Sequence, residues 1–154
     1  RLDTVSGGVN DALAAVLGLR NVKTFETEGL EMGRVGELPR VMSQDELALY
    51  IKEKLGTPYV NYNGAKDEIK HLAVLGGAGE DEISAAAKSG ADAYLTGELG
   101  HHLLTDAKDF GIALFEAGHH FTEFPVCKAL ESMVNTRFPE IYTEIYNSIA
   151  IKTV

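Results

Sequence analysis

Apolar positions in the first sixty residues change period several times, and each change predicts an element. Val9, Ala12, Leu13, Val16 and Leu17 recur at helical spacing after the polar "RLDTVSGG", and Gly18 stands where a helix stops, so a helix is expected over 9–17. Residues 22–26 and "MGRVGELP" (32–39) read as strands bounded by Gly and Pro, with Pro39 closing the second. Ser43 opens "SQDE", a capping box with Glu46, and the stripe Leu47, Tyr50, Ile51, Leu55 ahead of Gly56 predicts a helix over 44–55.

From there the rhythm is regular. Strands are expected at "PYVNYN" (58–63), "HLAVLGG" (71–77), "ADAYLTG" (91–97) and "IALFEAG" (112–118), with helices over 80–89, 100–109 and about 122–137. The last three strands are continuous apolar runs, as required where helices cover both faces of a sheet. Strands alternating with short helices imply an α/β fold with a largely parallel or mixed sheet. A final alternating segment, "IYTEIYNSIAI" (141–151), predicts an edge strand. There is no internal repeat, and 154 residues of which 45% are hydrophobic suit a single compact α/β unit over 1–154.

Composition narrows the function classes. No apolar run approaches the roughly 20 residues needed to span a bilayer, no secretory leader opens the chain, and Cys127 stands alone, so a cytoplasmic protein is expected. A net charge of −9, from 14 basic and 23 acidic residues, argues against direct nucleic-acid binding and favours a cation or a neutral small molecule. The chain opens at Arg1 in a polar stretch that reads as the middle of something, so a fragment of a longer protein is expected.

In an open α/β sheet, ligands bind at the carboxyl ends of the strands, where loops and helix amino termini converge. Three segments land there: "GGAGEDE" (76–82), "TGELGHH" (96–102) and "EAGHHFTE" (116–123). The first could cradle a phosphate or be only a tight strand-to-helix turn; Glu80, Asp81 and Glu82 directly behind it would repel an anion. In the third, His119 and Glu123 are four apart and His120 and Glu123 three apart, so either pair shares a helix face and could take one cation, and spacing does not choose between them. The alternative is a solvated helix start capped by Thr122. His101 and His102 bring four of the five histidines to one rim, and a nitrogen and oxygen ligand set suits zinc, manganese or iron(II). His71 reads as structural, Cys127 as a small buried hydrophobe, and the tyrosines at 59, 62, 142 and 146 as strand packing.

The order and spacing of "LDTVSGGVNDALAAVLGL", "GRVGELP" and "VLGGAGEDEISAAAKSGADAYLTGELGHHLLTDAKDFGIALFEAGHHFTEFP" resemble the Ngg-interacting-factor-three-like family, whose members are also labelled GTP cyclohydrolase 1 type 2 homologues. The resemblance covers most of the chain. It implies part of a two-lobed fold with a dinuclear metal centre, in proteins that assemble into ring-shaped homo-oligomers, hexamers among them. It implies Asp3, His119 and Glu123 as metal ligands, with Glu123 able to bridge two ions, and so selects His119 over His120. Glu98 and His102, on the T-G-[DE] segment, are implied to lie toward the same pocket, as supports of the ligands or facing substrate. The chain lacks the histidine that would precede Arg1 in the aspartate motif, and also the family's upstream paired histidines.

Two functions are compatible with this. In the first, a metal-dependent hydrolase of a small, nucleotide-like molecule, the metal acidifies bound water and Glu98 or His102 transfers protons. In the second, a non-enzymatic metal-binding protein acts through a protein partner, and the ion stabilises fold and assembly.

Overall fold

The computed structural model describes residue 2 and residues 5–149. Asp3 therefore lies outside the described residues, as do Ala150 and Ile151 at the end of the expected last strand.

Six strands form one mixed sheet in the order β1-β2-β4-β5-β6-β3. Strands β1 (Arg20–Thr27) and β2 (Leu30–Met42) make an antiparallel hairpin, and β2 pairs antiparallel with β4 (Ile69–Ala78). From β4 the sheet turns parallel through β5 (Ala93–Glu98) and β6 (Ala113–Glu116), and β3 (Asn61–Gly64) closes it antiparallel to β6. The parallel pairs follow from helical crossovers: a 3-10 turn at Glu80–Glu82 and α3 (Ile83–Lys88) link β4 to β5, while α4 (His101–Thr105) and a second 3-10 turn at Ala107–Phe110 link β5 to β6.

Period-two alternation along the parallel strands sends side chains into a core on each face. Leu72, Val74, Leu95 and Phe115 pack with Leu13 of α1 (Val9–Val16), with Leu17 at its C-cap, and with Leu47 and Ile51 of α2 (Gln44–Leu55). Ala73, Leu75, Tyr94 and Leu114 pack on the other face with Ile83 and Ala86 of α3. Helices thus cover both faces, as the apolar runs predict. The capping box at α2 is formed as the sequence predicts, with Ser43 Oγ accepting from the Glu46 amide and Glu46 accepting from the Ser43 amide; Gly56 ends the helix at φ +65°. Among the described residues no helix is long and apolar enough to cross a membrane.

Three expectations fail for local reasons. Pro39 does not end β2, which continues to Met42; the pairing with β4 shifts register between Glu37 and Met42, and an irregularity of that kind tolerates a proline. The predicted strand at 141–151 is absent over 141–149, where Tyr142 and Tyr146 stand exposed without a partner strand. The predicted helix from about 122 divides into α5 (His119–Glu123) and α6 (Val126–Arg137) at Pro125, which has no N–H to continue the ladder.

α1 carries two polar anchors on its buried side. Asn10 Nδ2 donates to Met32 O of β2, and its Oδ1 accepts from the Gly76 amide of β4 at 2.8 Å. Asp11 pairs with the buried Arg34 of β2, and this hydrogen bond holds the Asp11 carboxyl below its ordinary value of 3.8 in spite of partial burial. Because the folded-state value is depressed, the contribution is fully present above pH 3.8 and is lost as pH falls through the folded value. Asp11→Asn, which leaves the Arg34 charge buried and unpaired, is expected to cost about 3 kcal/mol at pH 7. Urea unfolding of both proteins should show that difference shrinking as the pH is lowered below the carboxyl's ordinary value of 3.8.

Candidate functional site

β4, β5 and β6 end side by side, and each end is followed by one of the three segments singled out in the sequence. The β5–β6 pairing continues past the strand end, with Ala117 N donating to Thr96 O at 3.1 Å and Gly118 N to Gly97 O at 3.0 Å. This brings α5 down on the ends of β4 and β5. Two glycines make the close approach feasible. A Cβ on Gly97 would lie 2.7 Å from His119 Cα and 2.7 Å from Thr122 Oγ1. Gly77, at φ +79°, passes under the site, and a Cβ there would lie 2.6 Å from Glu123 Oε1 and 3.2 Å from His119 Nε2.

Thr122 locks the arrangement. It is fully buried, and its Oγ1 accepts from Gly77 N at 3.1 Å while facing the carbonyls of Gly118 and His119 at 3.1 and 3.0 Å as donor. It is a residue inside α5, and the helix starts from Gly118, so the expected Thr122 N-cap is replaced by an internal anchor.

The histidine and its two carboxylates stand above this base. His119 Nδ1 is 2.8 Å from Glu98 Oε1, and His119 Nε2 is 3.3 Å from Glu123 Oε1. About half of each side chain faces solvent. With Glu98 accepting from Nδ1–H, the Nε2 lone pair is directed toward the Glu123 side. A cavity of about 210 Å³ opens beside Glu123, lined also by Asn10, Met32 and Gly76. His120, three residues from Glu123, turns away: its Nε2 meets Asn147 Oδ1 at 3.1 Å and its ring packs on Phe121 and Phe124.

Glu98, His119 and Glu123 are therefore brought together. His102 sits on α4 with its ring against Gly100, whose amide donates to Glu80 Oε2 at 3.2 Å, and no contact joins His102 to His119 among the described residues. His101 faces a separate cleft of about 790 Å³ between β3 and α4. Among the described residues no group of three or more His, Cys, Asp or Glu side chains is placed to hold a metal ion. His119 and Glu123 offer two donors, and the expected third, Asp3, lies outside those residues.

Of the "GGAG" segment, Gly76, Gly77 and Ala78 close β4, and Gly79 leads into the 3-10 turn Glu80–Glu82. Tyr94 Oη donates to Gly79 O at 2.8 Å, burial pushes the Tyr94 phenol far up, and partial burial with the Asp81 charge raises the Glu82 carboxyl. His71 lies within 3.6 Å of Asp92 and 3.8 Å of Glu37 on an exposed strand face. Cys127 is half-buried.

Three groups escaped the reading of the sequence. Asn10 carries a signal, since it is a polar residue among the apolar positions of α1. Glu116 carries one too, an acid ending the apolar run "IALF". Tyr59 looks like strand packing, yet it precedes β3 and is half-buried; burial first, then Glu116 and Glu98, hold its phenol above the ordinary range, so both carboxylates lie near it. Thr57 pins its backbone, with Oγ1 2.9 Å from both Tyr59 O and Ala117 O.

A family model described as Duf34/NIF3 (NGG1p interacting factor 3) matches residues 1–153. The chain is 39% identical over 133 residues to a GTP cyclohydrolase 1 type 2 homolog of Nostoc sp., covering 83% of this chain and 51% of that protein. It is 34% identical over 140 residues to the protein of the same name from Clostridium perfringens, covering 88% and 53%. It thus spans about half the length of these curated relatives. Among solved structures, protein ybgI, described as of unknown function, superposes with a TM-score of 0.74 at 32% identity over 88% of this chain and 54% of that one. Reduced HcgD from Methanocaldococcus jannaschii gives 0.70 at 29% identity, over 89% and 54%. A Staphylococcus aureus protein gives 0.84 at 23% identity, over 99% and 67%, which speaks to fold alone.

Removing the Thr122 hydroxyl tests the anchor. Thr122→Val keeps the shape and leaves the buried Gly77 N–H without an acceptor, so a loss of about 1–3 kcal/mol is expected in thermal or urea unfolding.

Proposed function

The chain belongs to the Duf34/NIF3 (NGG1p interacting factor 3) family, and from that premise we propose that it carries part of a divalent metal centre serving a metal-dependent hydrolase of a small, nucleotide-like substrate. His119 and Glu123 would hold the ion with Asp3, and the complete protein would hold two ions of zinc, manganese or iron.

The observation that supports this reading is the 3.3 Å separation of His119 Nε2 and Glu123 Oε1 over a glycine. Two ligands about 2.0–2.1 Å from one tetrahedral ion must stand about 3.3 Å apart. Glu98 accepting from Nδ1–H fixes the ring and its tautomer with Nε2 free, the support that metal-ligating histidines ordinarily have. The residues present fit the group. When bound, a divalent ion acidifies water and polarises a carbonyl or phosphoryl oxygen.

The chain's own residues do the rest. Glu98 orients His119 and can exchange a proton with it at Nδ1; Glu123 supplies the anionic oxygen; Gly77 keeps the space between them open. His102 is less well placed for proton transfer, because its ring lies against Gly100 and no hydrogen bond or ion pair joins it to His119 among the described residues.

The second reading is a non-enzymatic metal-binding protein with a regulatory partner. It draws support from the exposed Met133, Phe138, Ile141, Tyr142 and Tyr146 on and after α6, a surface that an assembly would cover. The same surface suits the proposed ring-shaped homo-oligomer, a hexamer among the options. Against a purely structural ion stands Thr122, which secures α5 to the sheet by protein hydrogen bonds alone.

Elemental analysis of the full-length protein comes first, and bound zinc, manganese or iron is expected. Glu123→Ala and His119→Ala should abolish binding of the added ion in calorimetry, and Glu98→Gln should weaken it about 10–100-fold. Turnover of phosphoester, nucleotide or amide substrates that vanishes in Glu123→Ala and in metal-free protein supports the hydrolase. Loss of the oligomer on metal removal, with no substrate turned over, supports the second reading.

A further inference from the structure

The cleft between β3 and α4 lies next to the candidate metal centre through three short links. Leu99 on its wall follows Glu98, Glu116 on its floor precedes His119 by three residues, and Tyr59 lies near both Glu98 and Glu116. Its volume of about 790 Å³ is that of a small-molecule site. No lysine or arginine lines it. Its polar groups are a carboxylate, two side-chain amides, His101, Thr105 and Tyr62, whose hydroxyl donates to Asp45, and its apolar wall comes from Val60, Leu99 and Leu104.

Glu116 is the one charged acid in that lining, and its oxygens are only partly used. Oε2 accepts from Asn61 Nδ2 at 3.0 Å, and Oε1 makes a long contact of 3.5 Å with the Leu99 amide. An ionised carboxylate has about four acceptor positions, so acceptors remain on both oxygens. Asn63 is more fully used: its Nδ2 donates to Leu104 O at 2.8 Å and faces Thr105 O at 3.5 Å, and its Oδ1 accepts from the Gly64 amide at 2.9 Å, which leaves it one acceptor position. A ligand entering here meets the Glu116 carboxylate, further side-chain acceptors and an apolar wall, and no lysine or arginine to neutralise an anion.

We infer that this cleft is a binding site for the N–H-rich part of a small molecule, an amidine or an aminoheterocycle edge, which donates two parallel hydrogen bonds to Glu116 beside Asn61. Two N–H groups meeting one carboxylate make the strong, geometrically specific bidentate pair. A phosphate-bearing portion has no place in the cleft. The inference does not depend on the metal, since none of the cleft groups is a proposed ligand.

Benzamidine and guanosine are the probes, added to the isotope-labelled chain in metal-free buffer and followed by amide chemical shifts. Saturable shifts at Asn61, Leu99 and Glu116 are expected, unchanged when zinc is present. Inosine, which lacks the amino group of guanosine, should bind about tenfold more weakly, and sodium phosphate should leave these amides unmoved. Glu116→Gln keeps an acceptor for Asn61 and removes the charge; about a tenfold loss of benzamidine affinity is expected, the size of one charge-assisted hydrogen bond. Benzamidine and guanosine leaving the three amides unmoved, equal binding by Glu116→Gln, or phosphate acting at the same amides would each overturn the inference. The guanosine and inosine comparison holds even if Glu116→Gln misfolds. Failure of metal binding alone would leave it standing.

Discussion

Thr122 has no exposed surface, and its single oxygen serves three backbone groups from two elements. It takes the N–H of Gly77, at the end of β4, which the turn conformation there removes from the sheet ladder. It returns its own proton to the carbonyls that open α5, so that a five-residue helix, too short to be stable alone, is fixed to the sheet from within. The geometry of His119 and Glu123 depends on that fixture, since both project from the same turn and a half. Gly97 and Gly77 are consequences of it, because the helix sits so close that neither position has room for a side chain.

The elements with their own local signals were legible. Ser43 and Glu46 specify the start of α2 by reciprocal hydrogen bonds, Gly56 specifies its end, and the continuous runs around Val74, Leu95 and Phe115 specify strands buried on both faces. What was not legible depends on partners distant in sequence. The alternation of Ile141, Tyr142, Ile145 and Tyr146 is a strand pattern, but a strand needs a neighbour, and 141–149 has none here. Pro39 reads as a stop only if β2 keeps its register, and the irregular pairing beyond Glu37 removes that condition.

The site divides along the same line. Helical spacing placed His119 and Glu123 on one face but served His120 nearly as well, and the structure separates the two by what surrounds them. His120 is drawn to Phe121, Phe124 and Asn147, while His119 is held by Glu98 from a strand twenty-one residues away. Likewise Asn10 and Thr122 look like ordinary polar residues on amphipathic helices, and only the approach of β4 makes them structural. His102, adjacent in sequence to the site turn, lies on α4 with its ring against Gly100.

Charge gives the arrangement its direction. Glu98, Glu116 and Glu123 stand along one rim, and the one buried cation among the described residues, Arg34, is already committed to Asp11. Like charges so placed repel one another unless a cation or hydrogen-bond donors come between them. On the proposed reading, the rim would favour positively charged or N–H-rich occupants at both ends, an ion near Glu123 and a donor edge near Glu116. An anionic group could be tolerated only on the ion side, where its charge would be offset. A substrate carrying both kinds of group would then lie in one sense along the rim, a polarity that would follow from where β5 and β6 end rather than from any single residue.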